Sequence, residues 1–547
     1  MPNADAGTAT GLDPDASTSI AALLAASEPT GPRDLGDLIL RLDAAGRLRG
    51  VAAPGPSAIR GVAFDSRSVG PSTIFVAVPG GHLDGHDFVV AAVSRGAIAA
   101  VVERAVPGVG VPQIVVDDAR RALAVVAAWW YRDPSLELGV VGITGTDGKT
   151  TTAFLCLAVL EEAGVSTGLI STAGLKVGAI RSANAEHVTT PESPRLQQTL
   201  RAMVGAGNRA AIVETTSHGL ALSRVAEIAY DIAIFTNLTH EHLELHGTFD
   251  AYREAKLSLF RGLGATGDGE RLARPWPRTA IVNVDDPAAP LFIAAAREAG
   301  AAVLTYGESA GADVRAVAVG DGAQSLQVDI ATPRWSSRVD LQLAGRFNAL
   351  NATAAVALGE ALGLDPEAIC RGLSRLAGVP GRMERINCGQ PFGVLIDYAH
   401  SPASLEKVLD ILAPIASVDG GGLVGVFGSA GERDVQKRPM MGRVAAERCR
   451  LVVLTDEDPR GEDGDAIIDQ IAAGAESAGK VRGSDLLCIR DRRAAIAAAF
   501  AQAGRGDIVL LAGKGHEQSI IMEDGPRPWD EHAEAMRALA DIGYCVE

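Results

Sequence analysis

Leu138-Gly139-Val140-Val141-Gly142-Ile143-Thr144-Gly145-Thr146-Asp147-Gly148-Lys149-Thr150-Thr151 is the stretch on which the fold turns. A short apolar run, then glycines, then an Ala/Leu-rich stretch predicts a buried strand, a tight loop and a helix. That is the repeating unit of nucleotide-binding α/β folds. Gly145 and Gly148 let the backbone curl so that its N–H groups and the helix N-terminus face phosphate oxygens. Thr146, Asp147 and Thr151 complete that lining. Lys149 is placed to neutralise β- and γ-phosphates, and the Thr150 hydroxyl to ligate Mg2+. An ordinary strand-to-helix turn needs no Gly-Lys-Thr there. The loop is shorter than the GxxxxGK[ST] form, since residue 143 is Ile, and Asp147 sets an acid beside the phosphate site.

Upstream, apolar runs at 73–78, 98–102 and 113–116 alternate with helical stretches and predict a small α/β domain, ending at a linker at Asp133-Pro134. Downstream, strand candidates at 210–214, 232–237, 279–284 and 302–306 predict a mainly parallel sheet. Val379-Pro380-Gly381-Arg382 marks a second linker. Beyond it, runs at 393–398, 423–428, 451–455 and 508–512 alternate with helices, as in a doubly wound Rossmann-like domain. The expectation is an α/β chain of three domains over 34–134, 135–380 and 381–547, behind a disordered tail over 1–33. A length of 547 residues suits several cores better than one.

A formal charge of −17 with no long basic run argues against nucleic acid as a partner. No apolar run reaches the roughly 18–20 residues of a membrane helix. The apolar stretch 19–27 is short and follows an acidic segment, unlike a signal peptide. Six scattered cysteines without CxxC spacing predict reduced thiols in a cytoplasmic protein. Seven lysines stand against forty-three arginines. Where Arg replaces Lys wherever charge suffices, a retained Lys is a candidate for chemistry that needs an amine.

Two further clusters follow predicted strands. Glu214-Thr215-Thr216-Ser217-His218-Gly219 offers a carboxylate for a hard cation. Thr236-Asn237-Leu238-Thr239-His240-Glu241-His242-Leu243-Glu244-Leu245-His246 holds three histidines, but without the HExxH spacing or a nearby cysteine that zinc would favour. A strand-end loop using one His on magnesium fits better. Single histidines here are as readily capping or packing residues.

These stretches resemble the ordered landmarks of the Mur ligase family. The resemblance also rests on Thr189-Thr190-Pro191, Tyr252-Arg253-Glu254-Ala255-Lys256, Gly345-Arg346-Phe347-Asn348, Pro380-Gly381-Arg382-Met383-Glu384, Asp397-Tyr398-Ala399-His400 and Gly513-Lys514-Gly515-His516-Glu517. It spans about residue 35 to the end. Asp65-Ser66-Arg67 and Asp84-Gly85-His86 are similar to a uridine-binding domain, which narrows the likeness to members that add the third residue of the peptidoglycan peptide.

The resemblance implies an ATP-dependent, Mg2+-requiring amide ligase acting on UDP-MurNAc-L-Ala-D-Glu through an acyl phosphate, as a monomer. Lys149, Glu214, His242 and Lys256 would be catalytic, with Thr150, Glu214, His242 and Lys256 at the metal and Lys256 carrying a CO2-derived carbamate. As a bare amine, Lys256 would simply pair with a neighbouring acid such as Glu254. Asn348 would meet the adenine, and Arg382 and Asp397 the ribose. Ser66, Gly81, His82 and Leu83 would hold the uracil end; Thr189, Thr190, Thr216 and Arg224 the peptide end. Thr216 and Leu222 stand where the family has Ser and Gln, and Leu cannot hydrogen-bond.

Arg433, Glu457, Asp458, Pro459, Arg460, Gly513 and Glu517 would hold the incoming amino acid. Arg460 favours meso-diaminopimelate, since a guanidinium fork suits a distal carboxylate. Asp458, in place of the family's Asn, would either pair with Arg460 and cancel it or attract the ammonium of lysine or ornithine. Other readings are a folylpolyglutamate- or cyanophycin-type ligase and a non-catalytic nucleotide-binding regulator.

Overall fold

The structure, a computed structural model, describes residues 14–52, 58–81, 83–184, 188–239, 246–264, 276–321, 325–418 and 420–544. His82, His240 and His242 lie outside the described residues.

Three sheets organise the chain. The first has five strands in the order Leu48–Ala52, Gln113–Val116, Ala97–Val102, Thr73–Val76, Gly61–Ala63, parallel except for the first pair. Helices Leu35–Ala44 and Ala119–Trp130 cover one face and Val89–Ser94 the other.

The central sheet has eleven strands, in the order Ile180–Ser182, Leu175–Val177, Thr167–Ile170, Ala210–Glu214, Gly139–Thr144, Ile232–Phe235, Thr279–Asn283, Ala302–Gly307, Val314–Asp321, Leu326–Ala331, Ser336–Leu341. From Thr167–Ile170 to Val314–Asp321 neighbours run parallel, and antiparallel hairpins extend both edges. Gly139–Thr144 is buried along its whole length, as a continuous apolar run predicts for a strand covered on both faces. Helices Lys149–Glu162, Phe347–Ala361 and Pro366–Arg375 pack on one side; Ser193–Gly205, Phe249–Arg261 and Ala289–Glu298 on the other. The chain leaves Gly139–Thr144 toward Thr167–Ile170 on one side and later adds Ile232–Phe235 on the other. The crevice at its C-terminal end is therefore the switch point at which open α/β sheets bind ligands.

The third sheet orders Glu384–Ile386, Gly393–Asp397, Ile508–Ala512, Leu423–Phe427, Leu451–Leu454, Leu486–Cys488, with only the first pair antiparallel. Helices on both faces make it doubly wound. Among the described residues no helix is long and apolar enough to cross a membrane.

Two expectations are corrected. Residues 14–26 of the supposed tail form a helix, Pro14–Ala26, whose Ile20 and Leu24 are buried in the central core. Burying such side chains is worth roughly 1.5–3 kcal/mol each, enough to hold a short segment that polar composition alone would leave loose. Glu28, just beyond, accepts from Gln198 of the central domain (2.7 Å) and Tyr131 of the first (2.5 Å). The second correction is Cys388, which is disulfide-bonded, while Cys156, Cys370, Cys449 and Cys488 are free. Spacing along the chain does not report which thiols meet in space.

Candidate functional site

The glycine loop leaves Gly139–Thr144 at the switch point. Gly148 has φ +80° and precedes the helix Lys149–Glu162; a Cβ there would collide with the Asn351 amide. Gly145, at φ +151°, has no room for a Cβ against Thr236. The loop is fixed from the next strand end. The Asp147 amide donates to Asn237 Oδ1 (2.8 Å), Thr236 Oγ1 donates to Asp147 O (2.7 Å), and the Thr146 amide to Asn237 O (2.8 Å). The Lys149 ammonium folds back onto its own loop, donating to Thr146 O (2.7 Å) and Gly145 O (3.1 Å). Thr151 is buried behind it.

Glu214, at the end of the adjacent strand, is 1% exposed. Thr150 Oγ1 lies 3.0 and 3.1 Å from its two carboxylate oxygens. Thr172, which the sequence reading missed, donates its amide (2.9 Å) and hydroxyl (3.0 Å) to the same group. A hydroxyl and a carboxylate side by side are the oxygen donors a hard divalent cation takes. The expected third donor, His242, lies outside the described residues.

Lys256, on helix Phe249–Arg261, is 1% exposed and donates to Gly145 O (2.7 Å), with its ammonium 4.5 Å from the Tyr252 ring centre. Two ammonium groups, Lys149 and Lys256, thus converge on one carbonyl. His246 is also close: burial first, then the Lys256 charge, lowers its pKa.

Thr189 and Thr190 flank the same strand end. Thr189 Oγ1 meets Thr172 Oγ1 (2.8 Å); Thr190 Oγ1 donates to Glu214 O (2.9 Å) and meets Thr216 Oγ1 (3.0 Å). Arg224 donates to Thr190 O (2.9 Å) and pairs with Glu192 (2.7 Å), while its Nε is buried without a partner. Leu222 closes the short helix Ser217–Ala221.

Asn348 is buried, donating to Ala344 O (2.7 Å) and accepting from Asn351 (2.8 Å). Beside it opens a cleft of about 570 Å³ lined by Val284, Asp285, Glu308, Arg346, Phe347 and Leu350. Arg382 reaches over from the third domain, its guanidinium 3.4 Å from Thr150 Oγ1 and stacked on Tyr398, with Nε buried and unpartnered. Both oxygens of Asp397 are taken by its own backbone neighbourhood, the amides of Met383 (2.8 Å) and Ala399 (2.9 Å). Burial raises its pKa, opposed by the Arg382 charge and those amides.

In the first domain Ser66 begins a short turn capped by Asp65, and its carbonyl accepts from Arg95 (2.7 Å). Leu83 is exposed, and Gly81 has open space around it. His86 is structural: the Glu103 amide donates to its Nε2 (2.9 Å), so Nδ1 carries the proton toward Asp84 (2.6 Å).

The acidic loop 457–463 holds the main correction. Asp458 does not pair with Arg460. Its Oδ1 accepts from Lys514 Nζ (2.8 Å) and the Ile521 amide (2.9 Å), both on its inner side. Lys514 is 0% exposed and also pairs with Glu517 (2.5 Å), which accepts from Tyr398 (3.2 Å). Glu462 is held by the fully buried Arg438 (2.9 Å) and by the Glu432 amide. Asp463 caps the helix Gly464–Ser477. Gly513 sits against Glu457, whose Oε2 is buried without a partner. Arg460 Nε is likewise buried and unpartnered, and the side chain borders a cleft of about 510 Å³ lined by both signs of charge: Arg490 and Arg527 with Glu462, Glu523 and Asp524, beside Pro459 and Met522. Arg433 follows Glu432 on the facing loop, whose Gly431 amide donates to Asp458 O (2.8 Å). Lys514 and Arg438 were not among the expected site residues. Lys514 lies in the motif Gly513–Glu517, but its pairing with Asp458, 56 positions away, and that of Arg438 with Glu462, 24 away, are not legible from motif position.

Comparison with known proteins follows the same three-part division. Residues 58–131 match the description "Mur ligase family, catalytic domain", 143–359 "Mur ligase middle domain" and 381–515 "Mur ligase, glutamate ligase domain". A UDP-N-acetylmuramyl-tripeptide synthetase of Roseiflexus sp. is 49% identical over 492 residues, 89% of this chain and 95% of that protein. A UDP-N-acetylmuramoyl-L-alanyl-D-glutamate–2,6-diaminopimelate ligase of Bacillus velezensis is 39% identical, covering 88% and 95%. The solved structure of a ligase of that second name is similar at a TM-score of 0.61 and 30% identity, covering 89% of this chain and 96% of its own.

Proposed function

The chain belongs to the Mur ligase family, and from that premise we propose that it joins the D-Glu carboxylate of UDP-MurNAc-L-Ala-D-Glu to an amine of meso-diaminopimelate, using ATP, as a cytoplasmic monomer. The observation that carries the choice of amine is the Arg460 guanidinium. Its loop is rich in acids, yet Asp458, Glu462 and Asp463 are committed elsewhere, which leaves a fork for the substrate's distal carboxylate.

A carboxylate is a poor acylating group at neutral pH and needs a phosphate leaving group. The substrate carboxylate attacks the γ-phosphate in line, giving an acyl phosphate and ADP; the amine then displaces phosphate to leave the amide. Lys149, released from its loop carbonyls, stabilises charge spread over the transferring group. Mg2+ held by Thr150 and Glu214, with His242, would supply further positive charge there. Ser66, Gly81, His82 and Leu83 take the uracil end. Thr189, Thr190, Thr216 and Arg224 align the peptide carboxylates, a role supported by the unpartnered Arg224 Nε. The adenine takes the cleft beside Asn348. Arg382 meets the ribose, with Asp397 fixing the turn that carries it. Arg433, Glu457, Gly513 and Glu517 hold the amino acid's near end. Lys256 carries a carbamate on this reading, which replaces one of two converging ammonium charges by a negative one.

The test is phosphate release with UDP-MurNAc-dipeptide and each of diaminopimelate, lysine and ornithine. Diaminopimelate is expected to give the highest kcat/KM. Preference for lysine or ornithine overturns the amine and leaves the ligase; no release with any amine overturns both.

A further inference from the structure

Asp147 is an anomaly in its place. It lies between Thr146 and Gly148 in a loop whose backbone is arranged for phosphate, and its main chain is pinned by Asn237 and Thr236. A carboxylate there opposes an incoming anion. Its partner comes from the third domain: Lys407, on helix Pro402–Val418, sets its ammonium 2.6 Å from Asp147 Oδ2. The two residues are 260 positions apart, and their side chains are 61% and 49% exposed. A pair so exposed adds little to folding stability. Its value lies in cancelling a charge beside the phosphate site, and Lys407 reaches it only with the third domain seated on the central one. The Arg382–Thr150 contact crosses the same gap.

We infer that Lys407 is a positioning residue which neutralises Asp147 when the third domain docks, so that docking and triphosphate binding strengthen each other. Coupling of this kind is reciprocal: whatever docking contributes to anion affinity, the bound anion returns to docking. The inference rests on the reading that the glycine loop holds ATP. It adds that one charge on the loop is supplied by another domain.

The experiment measures the Kd of a non-hydrolysable ATP analogue with Mg2+, by calorimetry on the full chain, for the wild type, Lys407→Ala, Asp147→Asn and the double variant. Lys407→Ala is expected to weaken binding about tenfold at low salt, and the loss should shrink as salt screens the bare carboxylate. Adding Asp147→Asn to Lys407→Ala should bring Kd back to within about twofold of the wild type, because the double variant again carries no net charge at the loop. A merely structural Lys407 would leave the double variant as weak as Lys407→Ala, and that result overturns the inference, as does an unchanged Kd in Lys407→Ala. A wild type that binds no nucleotide would instead sink the reading of the loop. Melting temperatures of the four proteins separate either outcome from misfolding.

Discussion

The glycine loop over 145–151 and the acidic loop over 457–463, each of which holds a charged ligand on the reading proposed above, are built by opposite means. The first relies on backbone: glycines, a main chain pinned by Asn237 and Thr236, and one ammonium resting on the carbonyls of its own loop. The second relies on cancellation: Asp458 is answered by buried Lys514, Glu462 by buried Arg438 and Asp463 by a helix cap, while Glu457 Oε2 and Arg460 Nε are left over. A backbone site announces itself in residue types and order. A cancelled site shows its net character only once its partners, 24 to 63 positions away, are known.

The comparison breaks most visibly at Lys256, which shares the Gly145 carbonyl with Lys149. Lys256→Ala should lower kcat roughly a thousandfold, about 4 kcal/mol, with part of the activity returning when a short carboxylic acid is added to fill the vacated space. Mass spectrometry of the mildly handled protein should show the carbamate; activity within tenfold of wild type would remove Lys256 from the site. In the other loop, Arg460→Ala should cost diaminopimelate roughly 2–4 kcal/mol in kcat/KM and leave lysine nearly unchanged. An equal loss for both amines would mean that Arg460 supports the loop rather than the substrate. Asp458→Asn sharpens the contrast. It leaves Glu517 as the one carboxylate on Lys514 and should lower stability by about 1–3 kcal/mol in denaturant melts, while the order of preference among amines stays as it was. A changed order would put the Asp458 carboxylate on the substrate.

The smallest effect lies away from both loops. His532 pairs with Glu384 at 2.8 Å, and that hydrogen bond raises its pKa. The protonated pair stabilises the fold fully below the unfolded value of about 6.5, and the benefit fades as pH rises through the higher native one. The melting-temperature gap between wild type and His532→Gln should therefore be widest near pH 6 and close toward pH 8. A gap that widens with pH would contradict the pairing.

The strands that could be read in advance were the buried ones, such as Gly139–Thr144 and Ala210–Glu214, because continuous apolar runs admit little else. The outer hairpin Leu326–Ala331 and Ser336–Leu341 escaped notice, although Leu326, Val328 and Ile330 alternate inward with Gln327 and Asp329 in a period of two. The meeting of Thr150 with Glu214 was legible, because Gly-Lys-Thr after one strand and a carboxylate at the end of another read as neighbours. Thr172 was not, since a threonine with a carboxylate 42 residues away looks like any other. Nor was the fate of Asp458, whose two foreseen partners were a neighbour in the loop and the substrate. The actual one arrives from the far end of the domain.

The helix Pro14–Ala26 rests against Ile180–Ser182, the last strand on its side of the eleven-stranded sheet. Such a margin presents a row of N–H and C=O groups to any other molecule able to pair with them. A helix packed against that strand, with Ile20 and Leu24 in the core, adds bulk where a second copy would have to approach to pair. Trimming the chain at about residue 30 to tidy it for crystallisation would uncover the apolar seat and the margin together, and self-association, rather than lost catalysis, is the failure such a shortened protein would meet first.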